Sequence, residues 1–204
     1  RTVYLMGTRA TLVVQAPDRV AALRQLDQMV RSLERSEAEL STWRTDSALS
    51  ALNRQPVDEP LQLPAPVCAL WGELTAWHRA TNGAFDPALG ALSSAWGLRE
   101  TGRRPSPGRL AAARAVTGLT HFRFEASTCR VTRLAEVMLD AGAFGKGEAL
   151  RRLHRQSAGG EPWMVDLGGQ IVVSGVPPGG SWPVAIAHPA RRDETTIEIT
   201  LDSG

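Results

Sequence analysis

The stretch LDAGAFGKGEALRRL, Leu139–Leu153, places a strand-like end, a run of small residues and an amphipathic helical pattern side by side. It also holds Lys146, the only lysine among 23 basic residues. Glycines let backbone N–H groups approach an anion and a lysine can neutralise it, so the stretch invites a phosphate-loop reading. The spacing excludes a Walker loop: only Ala143 and Phe144 separate Gly142 from Gly145, and Gly147, not Ser or Thr, follows Lys146. What remains is a strand ending in Asp140, a small-residue turn, and a helix whose N-terminus begins close to Lys146, an anion-facing geometry. On local grounds the same residues read equally well as a glycine turn made for close packing.

Outward from this stretch the pattern alternates strand and helix. VMLD reads as a strand and GKGEALRRLHRQS as a helix, followed by strands in WMVDL, IVVSG, WPVAIAHP and TTIEITL. Upstream, Val3 to Val14 alternates apolar and polar residues around MGT, as two short strands or one long strand with a glycine bend. In APDRVAALRQLDQMVRSLERSEAEL, Asp18 can cap a helix whose apolar residues recur at helical spacing. LSTWRTDSALSALNR reads as a polar loop in which Asp46 caps a short helix carrying Leu49 and Leu52. A long helix from about Pro66 to Thr81 should end on the left-handed pair Asn82-Gly83. GAFDPALGALSSAWG reads as a turn entering a short helix, in which Asp86 can fix the backbone of the residues after it. RETGRRPSPG reads as an exposed connection and HFRFEASTCRVTRL as a hairpin. The sum is an α+β fold in a single domain over residues 1–204.

Bulk composition removes several function classes. The chain has 43% hydrophobic and 22% charged residues, and no apolar run approaches the roughly 20 residues that cross a bilayer. A formal charge of +2, spread along the chain, makes no basic stripe for nucleic acid. Cys68 and Cys129 lack the paired spacing of a zinc site. Cys68 sits on the apolar side of a helical pattern, which reads as a buried inert thiol, with a disulfide to Cys129 left open. His78, His121, His154 and His188 have no nucleophile at a recognisable spacing, so nucleophilic catalysis finds no support. His78 and His154 read as helix-surface residues, and His188 as a candidate pocket residue.

Taken in order, the motifs resemble those of the ApbE family of flavin transferases. MGT at Met6 to Thr8, LSTWRTDSALSALN at Leu40 to Asn53, GAFDPALGALSSAWG at Gly83 to Gly97, LDAGAFGKGEAL at Leu139 to Leu150, VDLGGQI at Val165 to Ile171 and WPVAIAHP at Trp182 to Pro189 all look like family blocks at similar separations. The resemblance implies a mixed α/β architecture of the T-fold kind with an FAD cleft and a divalent cation, usually Mg²⁺. It also implies transfer of FMN from FAD to a Thr or Ser hydroxyl of a target flavoprotein, with release of AMP.

Residue by residue, it implies that Met6 and Trp43 flank the flavin, the second usually being tyrosine in the family. Asp86, Pro87 and Ala88 would line the cofactor, although the family commonly has threonine where this chain has Ala88. Asp140 and Lys146 would meet the cofactor, and Ala143 would offer a backbone carbonyl to the metal. Gly168 and Gly169 would shape the nearby turn, with Asp166 and Gln170 departing from the usual Asn and Asp. No residue is assigned a catalytic role.

Family members continue with a T-S-G-D-like segment and an H-x-x-D-P-x-T-G-like block that complete the metal site, whereas this chain reaches Ser203-Gly204 where the first should begin. The expectation is a domain incomplete at its C-terminus, with two alternatives: a non-catalytic flavin-binding relative that lost the metal site, or an FAD pyrophosphatase. The resemblance also implies a bacterial protein acting outside the cytoplasm, in the periplasm or at the outer face of the inner membrane. Arg1 opens directly on strand-like sequence, read as a targeting segment removed or never present.

Overall fold

The computed structural model describes residues 1–157 and 159–202; Ser203 and Gly204, where the expected T-S-G-D-like segment would start, lie outside the described residues. In chain order the strands are β1 (Thr2–Leu5), β2 (Thr8–Val14), β3 (Pro60–Gln62), β4 (Phe122–Glu125), β5 (Arg130–Arg133), β6 (Trp163–Leu167), β7 (Gln170–Ser174), β8 (Trp182–Ala187) and β9 (Thr195–Leu201). The helices are α1 (Arg19–Leu40), α2 (Ala48–Arg54), α3 (Ala65–Ala80), α4 (Gly90–Ala95), α5 (Pro107–Ala115) and α6 (Gly145–Gln156). Every strand pair is antiparallel, so the α+β reading holds. No helix among the described residues is long and apolar enough to cross a membrane. The chain divides into two compact units, Arg1–Ser36 with Lys146–Gly204, and Glu37–Gly145.

The first unit is built on a sheet of order β1-β2-β6-β7. Its period of two is clean: Ala10 and Leu12 of β2 and Trp163, Val165 and Leu167 of β6 are buried, with the more exposed Thr11, Met164 and Asp166 between them. Met29, Val30 and Leu33 of α1 and Ala149, Leu150 and Leu153 of α6 complete that core. Asp18 caps α1 as expected, its Oδ1 accepting from the Ala21 N–H at 2.8 Å. The β1–β2 turn is Met6-Gly7, both left-handed (φ 52° and 70°), which matches the right-handed twist of a two-residue hairpin. A second tight turn, Gly168-Gly169, joins β6 to β7; a Cβ on Gly168 would lie 2.4 Å from Thr8 Oγ1, so the MGT and VDLGGQI motifs meet here and require glycine. β8 and β9 form a separate two-stranded ribbon.

The second unit packs α2 and α3 with a short sheet of order β3-β5-β4. Leu49, Leu52, Val67, Leu70, Trp71, Leu74, Val131 and Leu139 are buried, and Trp71 meets Phe122 edge-on at 5.2 Å. α3 ends as expected on left-handed Asn82-Gly83. Three local readings need correction. α2 is capped by Ser47, whose hydroxyl accepts from the Ser50 N–H at 3.0 Å, because Asp46 is held outward by a bidentate pair with Arg44. Cys68 is not an inert thiol but half of a disulfide with Cys129, across a Cα separation of 5.7 Å. VMLD belongs to no sheet; it is an extended segment whose backbone is satisfied by side chains and by a neighbouring loop.

Candidate functional site

The extended segment 137–140 organises the polar part of the second unit. Buried Arg133 donates through Nε to the Val137 carbonyl at 2.9 Å. The amide of Asn53 grips both sides of the Leu139 backbone, donating to its carbonyl at 2.9 Å and accepting from its N–H at 2.8 Å. Loop 87–90 then runs alongside: the Asp140 N–H donates to the Pro87 carbonyl and the Gly90 N–H to the Met138 carbonyl, at 2.8 and 2.9 Å. The approach is so close that a Cβ on Gly90 would sit 2.7 Å from Met138 Cβ. Side chains do here what a sheet ladder does elsewhere.

Asp86 fixes that loop. Its Oδ1 accepts from the Ala88 N–H at 2.8 Å, both oxygens accept from the Leu119 N–H, and His78 Nδ1 stands 3.3 Å from Oδ2. His78 Nδ1 also faces the Phe85 carbonyl at 2.9 Å. Both neighbours are acceptors, so Nδ1 carries the hydrogen. His78 is therefore a partly buried support rather than a helix-surface residue. Pro87 and Ala88 are buried, Ala88 completely, so Ala88 presents no surface to a ligand and this loop acts through its backbone.

At the surface the same segment ends in a ledge. Asp140 Oδ1 accepts from the Gly142 N–H at 2.8 Å, capping the 3₁₀ turn Ala141–Ala143. Its Oδ2 faces the Arg99 guanidinium at 3.7 Å. Arg99 donates to the Thr42 carbonyl and hydroxyl at 2.6 and 2.5 Å, and its Cζ lies 5.0 Å from the centroid of the Trp43 ring, which is 66% exposed. Trp43 and Asp140, remote in sequence, are thus brought to one place by Arg99. Neither Arg99 nor Asn53 stands out in the sequence as a site residue, and His78 reads there as a helix-surface residue; Arg99 opens a segment that reads as an exposed connection, and nothing in one arginine among 22 marks it.

In the first unit, Met6 is partly buried and held at positive φ, a conformation that costs a non-glycine residue energy and is informative at functional sites. Lys146 lies half-buried in the first turn of α6, where the backbone N–H groups have no intrahelical partner. Asp166 Oδ1 accepts from the Gly169 N–H at 2.7 Å and shapes the β6–β7 turn. An open groove of about 510 Å³ between α6 and β7 is lined by Leu150, His154, Ile171 and Val172 and contains none of the expected cofactor residues. His154 is not a plain surface residue: its ring meets Trp163 edge-on at 6.0 Å. His188 is partly buried and shapes a turn, its Nδ1 accepting from the Ala190 and Arg191 N–H groups at 3.1 Å each.

The metal expectation can be tested on the donor set. Ala143 is exposed and offers a carbonyl, but Asp140 is committed to Gly142 and faces Arg99, and no group of three His, Cys, Asp or Glu side chains converges among the described residues. Mg²⁺ takes near-octahedral oxygen coordination with carboxylate help, so the residues present do not make a magnesium site on their own.

Comparison with known proteins converges on one family. The FAD:protein FMN transferase of Vibrio cholerae is 29% identical over 206 residues, covering 98% of this chain and 61% of the relative. That of Haemophilus influenzae is 27% identical over 179 residues, covering 80% of this chain and 50% of the relative. The chain therefore spans between 50% and 61% of the length of these two relatives. Among solved structures, the flavin transferase ApbE of Vibrio cholerae superposes with a TM-score of 0.81 at 27% identity, covering 98% of this chain and 66% of that one. The ApbE protein of Thermotoga maritima gives 0.91 at 24% identity, covering 100% and 67%, a likeness of fold. The ApbE family model matches residues 6–204, and the chain belongs to the ApbE family.

Proposed function

We propose that this chain is the FAD-handling part of an FAD:protein FMN transferase. In that reaction the hydroxyl oxygen of a Thr or Ser on a target flavoprotein attacks the FMN phosphorus of FAD. The bond from that phosphorus to the bridging oxygen breaks, AMP leaves with the electron pair, and the hydroxyl proton passes to solvent. The observation that carries the reading is the ledge of Trp43, Arg99 and Asp140 on a chain whose relatives are named for this transfer. An exposed indole is a flat apolar surface suited to an isoalloxazine ring. Lys146 in the first turn of α6 combines a cation with free backbone N–H groups, which suits a pyrophosphate. Met6 is offered as a further flavin contact, and the loop from Asp86 to Ala88 as the support of the ledge.

Such transfer is driven chiefly by alignment and by neutralising phosphate charge. A Mg²⁺ requirement belongs to the proposal for the complete transferase on the strength of the resemblance, with Ala143 offering one oxygen donor and the other ligands not among the residues described. We also propose action outside the cytoplasm, supported by the Cys68–Cys129 disulfide, since such bonds persist in oxidising compartments.

The test is incubation of the complete transferase to which this part would belong with FAD, Mg²⁺ and a flavoprotein carrying an acceptor threonine. A covalent flavin adduct with AMP is expected, lost on chelation by EDTA. FMN and AMP without an adduct would assign an FAD pyrophosphatase instead, and FAD binding with no product a non-catalytic binder. Lys146→Ala should weaken FAD binding or slow turnover by roughly 10- to 100-fold, the worth of a charge-assisted contact, while leaving the thermal midpoint unchanged. Unchanged affinity and rate would return Lys146 to a packing turn.

A further inference from the structure

Within the second unit Arg99 contacts both Trp43 and Asp140. Its guanidinium lies 5.0 Å from the indole centroid, inside the range of cation–π attraction. Two further donors are spent on the Thr42 carbonyl and hydroxyl, so the plane of the fork is fixed by the residue preceding the indole. Nη2, which donates to the Thr42 hydroxyl, also lies 3.7 Å from Asp140 Oδ2. Arg99 itself is only partly exposed, with 31% of its side chain accessible, whereas the Trp43 side of the contact is largely open. A surface tryptophan without such a backing samples several rotamers, and a ligand that stacks on it must first select one.

We infer that Arg99 is a positioning residue that holds Trp43 as a preformed platform for the flavin ring and locks it to the Asp140 turn. The inference rests on the flavin reading of the ledge given above, and it adds a specificity element: the support acts on the flavin half of the dinucleotide and not on the adenylate half. A lysine cannot replace it. An ammonium carries the charge but neither the planar face for the indole nor the forked donors that engage Thr42.

The experiment compares binding of FAD, FMN and ADP to the purified protein and to its Arg99→Met and Arg99→Lys variants, together with Trp43→Ala and the Trp43→Ala/Arg99→Met double variant. Arg99→Met keeps the apolar stem and should raise the Kd for FMN and FAD by roughly three- to tenfold while ADP stays within about twofold. Arg99→Lys should be no better than Arg99→Met. In the Trp43→Ala background the Arg99→Met step should cost less than about twofold, because the residue acts through the indole. Equal weakening of FMN and ADP, full rescue by lysine, or an undiminished effect without Trp43 would each overturn the positioning role. If Arg99→Met does not fold, the lysine variant decides alone by its FMN-to-ADP ratio. Failure of the unsubstituted protein to bind FMN or FAD would instead overturn the flavin reading and this role with it; normal binding that Arg99 changes leave untouched overturns this role only.

Discussion

The unit formed by Arg1–Ser36 with Lys146 onward and the unit Glu37–Gly145 bury apolar cores of similar make-up, yet they satisfy their backbones differently. In the first, β2, β6 and β7 pair over their whole lengths, and alternation alone puts Leu12, Trp163, Val165 and Leu167 inside. In the second, segments 86–90 and 137–140 are irregular, and Asn53, Asp86, Arg133 and His78 supply the hydrogen bonds that a ladder would have given. A regular sheet is robust but presents its own backbone to nothing else. An irregular segment held by side chains can carry a carboxylate, a helical turn and an aromatic platform at one surface, and that is where the Trp43–Arg99–Asp140 ledge stands.

This contrast can be broken experimentally, beginning with the largest effect. Trp163→Ala removes a fully buried ring from the first core and should cost about 3–5 kcal/mol in urea unfolding. Hydrogen exchange should rise in β2, β6 and β7 ahead of β4 and β5; an equal rise everywhere would mean that the two units open as one. Removing the disulfide by Cys68→Ala with Cys129→Ala frees a closed loop of 61-residue separation in the second unit and should cost about 2–4 kcal/mol. A negligible change would show that the second core needs no covalent brace.

Asn53→Ala tests the side-chain ladder directly. It leaves the N–H and C=O of buried Leu139 without partners and should cost about 1–3 kcal/mol, with loss of FAD binding as segment 137–140 loosens. Retained stability would indicate that packing alone sets this segment. The smallest effect separates two neighbours: Ser47→Ala should cost about 1 kcal/mol as a lost cap, whereas Asp46→Ala should leave the unfolding midpoint unchanged. The hydrogen bonds from Arg44 hold the Asp46 carboxyl below its ordinary range. A lowered folded-state value gives a contribution present above the unfolded pKa and lost as pH falls through the folded one. Asp46 is exposed, so that contribution is screened and acid titration of stability should not register it.

The sequence is legible where local rules suffice. Periodicity gave the strands around Trp163 and Val172, the long α1 with its Asp18 cap, and the Asn82-Gly83 stop, because each is decided by neighbours within a few positions. It misread VMLD as a strand because an apolar run specifies extended backbone and not the partner that will satisfy it. Asp46 and Ser47 are both good caps, and only the competing Arg44 pair assigns the job to Ser47. The expected Asp86, Pro87 and Ala88 were legible as a motif, but their burial was not, since it depends on Leu119 and segment 137–140 closing over them.

By itself, then, the sequence determined the α+β class, the long helices and most of the strands and, through six ordered motifs, the ApbE family. Only tertiary structure decided that Arg99 stands between Trp43 and Asp140, that Cys68 meets Cys129, and that Asn53 holds Leu139. Local propensity and hydrophobic period act over a few residues, whereas these contacts join positions 41 to 86 apart and exist only after the core has closed.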